Sequence, residues 1–294
     1  MHPDARDDSP LGERAQLLLK VLVESYIRDG QPVGSRSLSR DSGLNLSSAT
    51  VRNVMADLEE GGFVTSPHTS AGRIPTSKGY RFFVDTLLRV RPLEEAAADD
   101  IRRQLGRGED ARTLVSAASQ LLSDVTHMAG VVTLPSTQAA SITQIEFLAL
   151  SETRERLNAG MVDTISVAQQ LLPQQSPTGG REYVMAGETN LMGFAELSSV
   201  DKLKRLFEAF NEKRDLLNLL DMSLHGQGVQ IFIGQESGYQ ILDDCSVVTA
   251  PYASDTGAVG VIGVIGPTRM AYERVIPVVD LTARVLGAAL NSRR

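Results

Sequence analysis

Arg52 and Asn53 stand out among the side chains of this 294-residue chain. Arginine and asparagine are the residues best shaped for two-point hydrogen bonding to guanine and adenine edges in the major groove of DNA. The stretch around them has helical spacing. Val51, Val54, Met55 and Leu58 fall on one side and are expected in a core, whereas Ala49, Arg52, Asn53 and Ala56 fall on the other. Alanine at 49 and 56 would let such a helix approach the bases closely. Ser47, Ser48 and Thr50 stand at the helix start, where hydroxyls and free backbone N–H groups can hold phosphates, and Ser47 has the chemistry of an N-cap. A second cluster follows. His68, Thr69, Ser70 and Arg73 surround a turn opened by Gly72, and small polar residues with one arginine suit contact with the DNA backbone or minor groove. Taken alone, Arg52 reads equally well as a solvated surface residue; the whole constellation is what points to DNA.

The other reactive side chains do not assemble. His2, His68, His127, His225 and Cys245 are scattered without ligand spacing, and a metal site needs three or four converging groups. Asp243-Asp244 reads as a solvated pair in a loop. Glycines 257, 260, 263 and 266 recur at every third position, which does not fit a dinucleotide fingerprint and in a strand favours close packing. No catalytic residue, cofactor or metal is expected, and the chain reads as a non-enzyme.

The elements that must position the DNA-facing residues are legible. Ala15, Leu18, Leu19, Leu22, Val23, Tyr26 and Ile27 recur at helical spacing up to Asp29-Gly30, after a polar tail over 1–12. A short helix is expected from Ser35 to Ser42, and a third from Ser47 to the Gly61-Gly62 stop. Phe63–Pro67 and Arg73–Pro75 predict a β-hairpin. A fourth helix is expected from Thr76 to Pro92. Three helices and a hairpin form the pattern of a winged helix-turn-helix over 1–90. Its core is expected to hold Leu18, Leu22, Leu38, Val51, Val54, Leu58, Phe63, Phe83 and Leu87. Beyond a polar, alanine-rich linker at 89–99, the pattern predicts helices over 93–127 broken at Gly106-Gly108, strands near 129–134 and 142–150, and a helix over 154–172. A loop over 173–182, one amphipathic helix over 200–220, strands near 229–233, 246–250 and 258–265, and a last helix over 272–290 complete it. The fold class is therefore α+β, mixed.

Composition bounds the function. Hydrophobic residues make up 42% and charged residues 22%, enough for a sizeable core. The longest apolar runs are glycine-interrupted and too short to span a bilayer, no apolar leader opens the chain, and one cysteine fits a reducing cytoplasm. The net charge of −7 would argue against nucleic acid were it evenly spread. Residues 1–90 instead balance 11 basic against 11 acidic residues, and 30–83 hold six basic residues against four acidic ones. A locally basic head on an acidic body is compatible with DNA.

Several motifs add a family. Pro32-Val33-Gly34-Ser35-Arg36, Ser47-Ser48-Ala49-Thr50-Val51-Arg52-Asn53, Met55-Ala56-Asp57-Leu58-Glu59, the run Pro67 to Thr76 and Lys78-Gly79-Tyr80-Arg81 resemble the heat-inducible transcription repressor HrcA family. So do Gly263 to Met270 and Val275-Ile276-Pro277. The resemblance adds Ser35, Arg36 and Lys78 to the DNA-contact set. It implies repression of chaperone operons through an inverted-repeat operator, a homodimer, and modulation by a GroEL-type chaperonin. It also implies a GAF-like domain, here 100–152 with 226–294, interrupted by an inserted dimerisation domain at 153–225. One departure is visible. Ser151-Glu152-Thr153-Arg154 passes directly toward a helix where members of the family continue with further strands, so a sheet segment near 153 is missing. Dimer contacts are expected from 100–225, where Leu203, Leu206, Phe207, Phe210, Leu216, Leu217 and Leu220 offer a broad apolar face. The alternative reading keeps the DNA-binding head and makes the body a small-molecule sensor; a GAF-like enzyme lacks a nucleophile–base pair.

Overall fold

Helix α1 (Glu13–Asp29) turns Leu18, Leu19, Leu22 and Val23 inward and ends at Gly30, whose positive φ of 65° lets its N–H close on the Tyr26 carbonyl. The structure, a computed structural model, describes residues 10–44, 46–68, 72–106, 110–135, 182–224, 226–253 and 259–291. Helices α2 (Ser35–Asp41) and α3 (Ser48–Glu60) follow. Strands β1 (Val64–Thr65) and β2 (Ile74–Pro75) pair antiparallel, Val64 facing Pro75 and Thr65 facing Ile74. The expected helix from Thr76 to Pro92 is shorter. It comprises α4 (Ser77–Phe82), capped by the Thr76 hydroxyl, and a π-helical stretch Phe83–Leu87. Leu88 is already extended, its N–H reaching back to the Phe83 carbonyl. This is the expected order of three helices and a hairpin, and most of the expected core holds. Leu18, Leu22, Leu38, Val51, Leu58, Phe63 and Phe83 are buried, and Val54 and Leu87 pack partly buried against them.

The remainder is built on one antiparallel sheet of order β4-β3-β7-β6-β5. Its strands are β3 (Ala129–Thr133), β4 (Tyr183–Ala186), β5 (Gln230–Ile233), β6 (Cys245–Ala253) and β7 (Val259–Pro267). The period of two divides its side chains cleanly. Val132, Val248, Ile262 and Val264 face the cluster that holds α5 (Glu95–Leu105), α6 (Ala111–Thr126) and α9 (Tyr272–Asn291). Val131, Val247, Val261 and Ile265 face the opposite cluster. The expected close packing at the β7 glycines is present: a Cβ on Gly260 would lie 2.4 Å from the Tyr252 ring. Strand β4 was not anticipated, because four residues after a Pro- and Gly-rich stretch carry little alternation. The expected strand at 142–150, the helix at 154–172 and the missing segment near 153 all lie outside the described residues.

The opposite face corrects one expectation. The single helix over 200–220 is two, α7 (Val200–Glu212) and α8 (Arg214–Leu224), broken where Lys213 adopts a positive φ of 60°. The break lays α8 on the sheet and folds α7 against α8 and the short turns 188–193 and 240–242. Leu206, Phe210, Leu216, Leu217 and Leu220 are buried there, with Leu203 and Phe207 packed partly buried against them. The apolar face expected to make dimer contacts is thus largely covered by the chain itself, and 214–224 pack on the sheet.

Two arginines join head and body. Arg81 on α4 pairs bidentately with Glu236, donates to Asp85 at 3.2 Å, and donates to the Ile231 carbonyl on edge strand β5. Arg269, after β7, pairs with Glu196 and donates at 2.9 Å to the Ile27 carbonyl in the last turn of α1. Between them the Tyr80 and Tyr272 rings lie 6.1 Å apart. Among the described residues no helix is long and apolar enough to cross a membrane.

Candidate nucleic-acid interface

The helix expected to face DNA begins with a formed cap. Ser47 Oγ accepts from the Thr50 N–H at 3.1 Å and lies 3.0 Å from the Thr50 hydroxyl, so both side chains are partly engaged at the helix start. Val51, Met55 and Leu58 point inward. Ala49, Thr50, Arg52, Asn53 and Ala56 are exposed and Ser48 is half-buried. The arrangement follows from the three-and-four spacing, because burying Val51, Met55 and Leu58 leaves 49, 52, 53 and 56 facing outward. Among the described residues, Arg52 and Asn53 make no hydrogen bond or ion pair. Arg36, exposed on α2, is likewise unpaired, while Ser35 is half-buried at the start of that helix.

The hairpin stands beside this surface. Val33, just before α2, and Arg73 exchange two backbone hydrogen bonds of 2.9 Å. A Cβ on Gly72 would lie 2.4 Å from the Val33 carbonyl, so glycine is required for that approach. His68 is exposed, and its carbonyl accepts from Ser66 Oγ at 2.7 Å. Thr69 and Ser70 lie outside the described residues.

Two residues of the expected set are otherwise engaged. The Arg73 guanidinium is 2.7 Å from Glu59. Lys78 Nζ donates to the Gly61 carbonyl at 2.7 Å and sits 4.5 Å over the Phe63 ring, closing the C-terminal end of α3. Sequence reasoning missed Glu59, which stands 14 residues from its partner, a separation that carries no local signal. Of the six basic residues in 30–83, Arg73 and Arg81 spend their charge on carboxylates and Arg40 pairs with Asp41. Among the described residues, Arg36 and Arg52 are left as the cations of that stretch with open faces.

Nothing in the body competes as a reactive centre among the described residues. No group of three His, Cys, Asp or Glu could hold a metal there. Cys245 is buried, and burial followed by the neighbouring Asp244 pushes its thiol up to about 12. A groove of about 1120 Å³ runs between α1 and residues 86–91. Lys20, Arg28, Arg89 and Arg91 alternate there with Glu13, Glu24 and Glu273, so no single ligand charge is favoured.

Known proteins place the chain. The family model described as HrcA protein C terminal domain matches residues 112–178 and 154–276. The heat-inducible transcription repressor HrcA of Methylococcus capsulatus is 45% identical, over 96% of this chain and 97% of its own length. Its namesake in Xanthomonas euvesicatoria is 40% identical, over 96% and 97%. The Methylococcus alignment spans 345 residues while drawing on 96% of 294, so that relative carries about 60 residues without a counterpart here. A crystal structure of a hypothetical protein at 2.2 Å resolution superposes with a TM-score of 0.71 at 24% identity, over 96% of this chain and 99% of that one, which shows a shared fold. At 40–45% identity across nearly its whole length, the chain belongs to the heat-inducible transcription repressor HrcA family.

Proposed function

We propose that this protein is a cytoplasmic, dimeric transcriptional repressor that reads an inverted-repeat operator through the exposed face of α3. One observation carries the reading. Arg52 and Asn53, the two side chains best suited to base edges, are exposed and, among the described residues, unpaired beside two alanines, on a helix whose opposite side is committed to the core. Ser35, Arg36, Ser47, Ser48, Thr50 and the wing residues His68, Thr69 and Ser70 supply phosphate or groove contacts around that centre. A single short helix and a two-residue hairpin read only a half-site. Two heads held together make the second contact intramolecular and raise both affinity and genomic specificity. Two-fold symmetry then demands an inverted repeat.

The printed names of the relatives support heat-responsive repression, and family resemblance supports chaperone operons as targets and a GroEL-type chaperonin as modulator. The strands that flank 136–181 pair directly, with the Leu134 N–H on the Glu182 carbonyl at 2.8 Å. The domain division we favour keeps 1–90 as the head and assigns 200–224 to the sheet-bearing body.

The experiment is selection of a duplex from a random pool by the full chain, then titration with and without chaperonin alongside sedimentation at micromolar concentration. An inverted-repeat consensus bound by a dimer is expected. A strictly monomeric species that holds a two-half-site duplex at full affinity would sink the dimer.

A further inference from the structure

Arg73 is a cation in a DNA-binding head, and the simplest reading makes it a phosphate contact. Its surroundings point elsewhere. Nε and Nη2 lie 2.9 and 2.7 Å from one oxygen, Oε2 of Glu59, in the last turn of α3. Nη1 donates to Ser66 Oγ at 3.3 Å, just past β1. Its backbone is paired with Val33 ahead of α2. One residue therefore ties the second strand of the wing to the first strand, to the entry of α2 and to the end of α3.

The wing needs such a tie. Its ladder has two residue pairs, and one member is Pro75, which has no N–H to donate. A hairpin that short has little stability of its own. Meanwhile Glu59 and Arg73 are only 35% and 26% exposed, so each screens the other's charge from a ligand.

We propose that Arg73 and Glu59 are positioning residues, a brace that sets the wing against the DNA-reading helix, so that an acidic residue is required for tight DNA binding. The inference rests on the DNA-binding reading above. It reverses the usual electrostatic expectation, in which removing a negative charge beside DNA strengthens binding.

The test uses the full chain and the duplex it selects from a random pool. Glu59→Gln and Arg73→Gln should each weaken binding on the order of tenfold. The double variant should be no weaker than either single one. The dependence of log K on log salt should keep its slope in all three, because no phosphate contact is lost. The exchanged pair, Glu59→Arg with Arg73→Glu, should recover much of the loss, and it decides the matter if a single variant melts early. In the free protein, hydrogen exchange at the Val33 and Arg73 amides should quicken in Glu59→Gln. Two results overturn the brace: Glu59→Gln binding as tightly as the parent or tighter, or Arg73→Gln flattening the salt slope by about 0.9, the value of one phosphate. If the parent selects no duplex, the DNA-binding reading fails, while the exchange measurement, made without DNA, still tests the brace.

Discussion

Arg52 and Arg73 are both arginines of the head, yet they have opposite surroundings. Arg52 projects from α3 with no partner among the described residues, whereas Arg73 is bound to Glu59 and Ser66. An unpaired guanidinium on an exposed helix face keeps its donors for a base edge. Arg52→Ala should therefore cost roughly 1–3 kcal/mol on the selected operator and relax its sequence preference. Equal losses on specific and random duplexes, read by competition titration, would make Arg52 a phosphate clamp instead. Sequence spacing sufficed for Arg52, because its exposure follows from the burial of Val51, Met55 and Leu58, spaced four and three residues apart along the other side of the helix. It did not suffice for Arg73 or Lys78. Their partners, Glu59 and the Gly61 carbonyl, lie 14 and 17 residues back, and only the folded hairpin brings them together. Cys245 offers a separate check. With its thiol pushed up to about 12 by burial, it carries almost no thiolate at neutral pH, and the thiolate is the nucleophile. Alkylation by iodoacetamide at pH 8 should be slow in the native protein and fast in denaturant; rapid native labelling would show that the α7–β6 side opens readily.

At the level of elements, the orientation of α3 is fixed by Leu58, which is fully buried. Leu58→Ala should destabilise the protein by about 2–5 kcal/mol, measured by denaturant unfolding; a change of a few tenths would mean that α3 is free to roll and that the DNA face is not defined by packing. The hairpin has a comparable weak point in Gly72, where any side chain would collide with the Val33 carbonyl. Gly72→Ala should break the Val33–Arg73 bridge and weaken DNA binding while leaving the helices intact by circular dichroism. These head elements were legible because their signals are local: the Ser47 cap, the Gly61-Gly62 stop, and apolar residues at a period near 3.6. The body was less legible for an equally physical reason. Strand β4 is a four-residue edge whose partner, β3, lies about fifty residues earlier, and the kink at Lys213 is a left-handed turn at a residue type with no special preference for it. A continuous amphipathic pattern through 200–220 therefore reads as one straight helix with surplus apolar surface. The kink folds most of the same residues inward, and the surplus shrinks to the partly exposed Leu203 and Phe207.

At the scale of the whole molecule, the direction in which the DNA-reading face points depends on how the head is docked. That docking is polar and charge-dependent. Arg81 reaches from α4 to the free edge of the body sheet, where it meets Glu236 and the Ile231 carbonyl, and Glu236 in turn accepts from the Ile233 N–H at 2.9 Å. Burial alone would raise the Glu236 carboxyl, but the Arg81 hydrogen bond and the Ile233 N–H outweigh it and hold the carboxyl below its ordinary value of 4.5. The sign of the consequence follows. Only the Arg81 share of that lowering bears on docking, because the Ile233 N–H belongs to the body and stays on Glu236 in either arrangement; the Arg81 share favours docking while the carboxyl is ionised. That contribution fades as acid protonates the carboxyl and is gone below the lowered value of the docked state. Asp85, on the other side of the same guanidinium, keeps part of the attraction while it remains ionised. The Arg269–Glu196 clamp holds the other end of the interface, so weakening one clamp should loosen the head without releasing it. Amide exchange along β5 and α4, followed from pH 7 to pH 3.5 after correction for intrinsic rates, should rise as the solution becomes acidic, and Glu236→Gln should flatten that dependence. Glu236→Gln should also lower affinity for a two-half-site operator more than for a single half-site, because a loosened head costs entropy only when both heads must be placed at once. Equal losses on the two duplexes would show that Glu236 supports the fold of the head and not its placement.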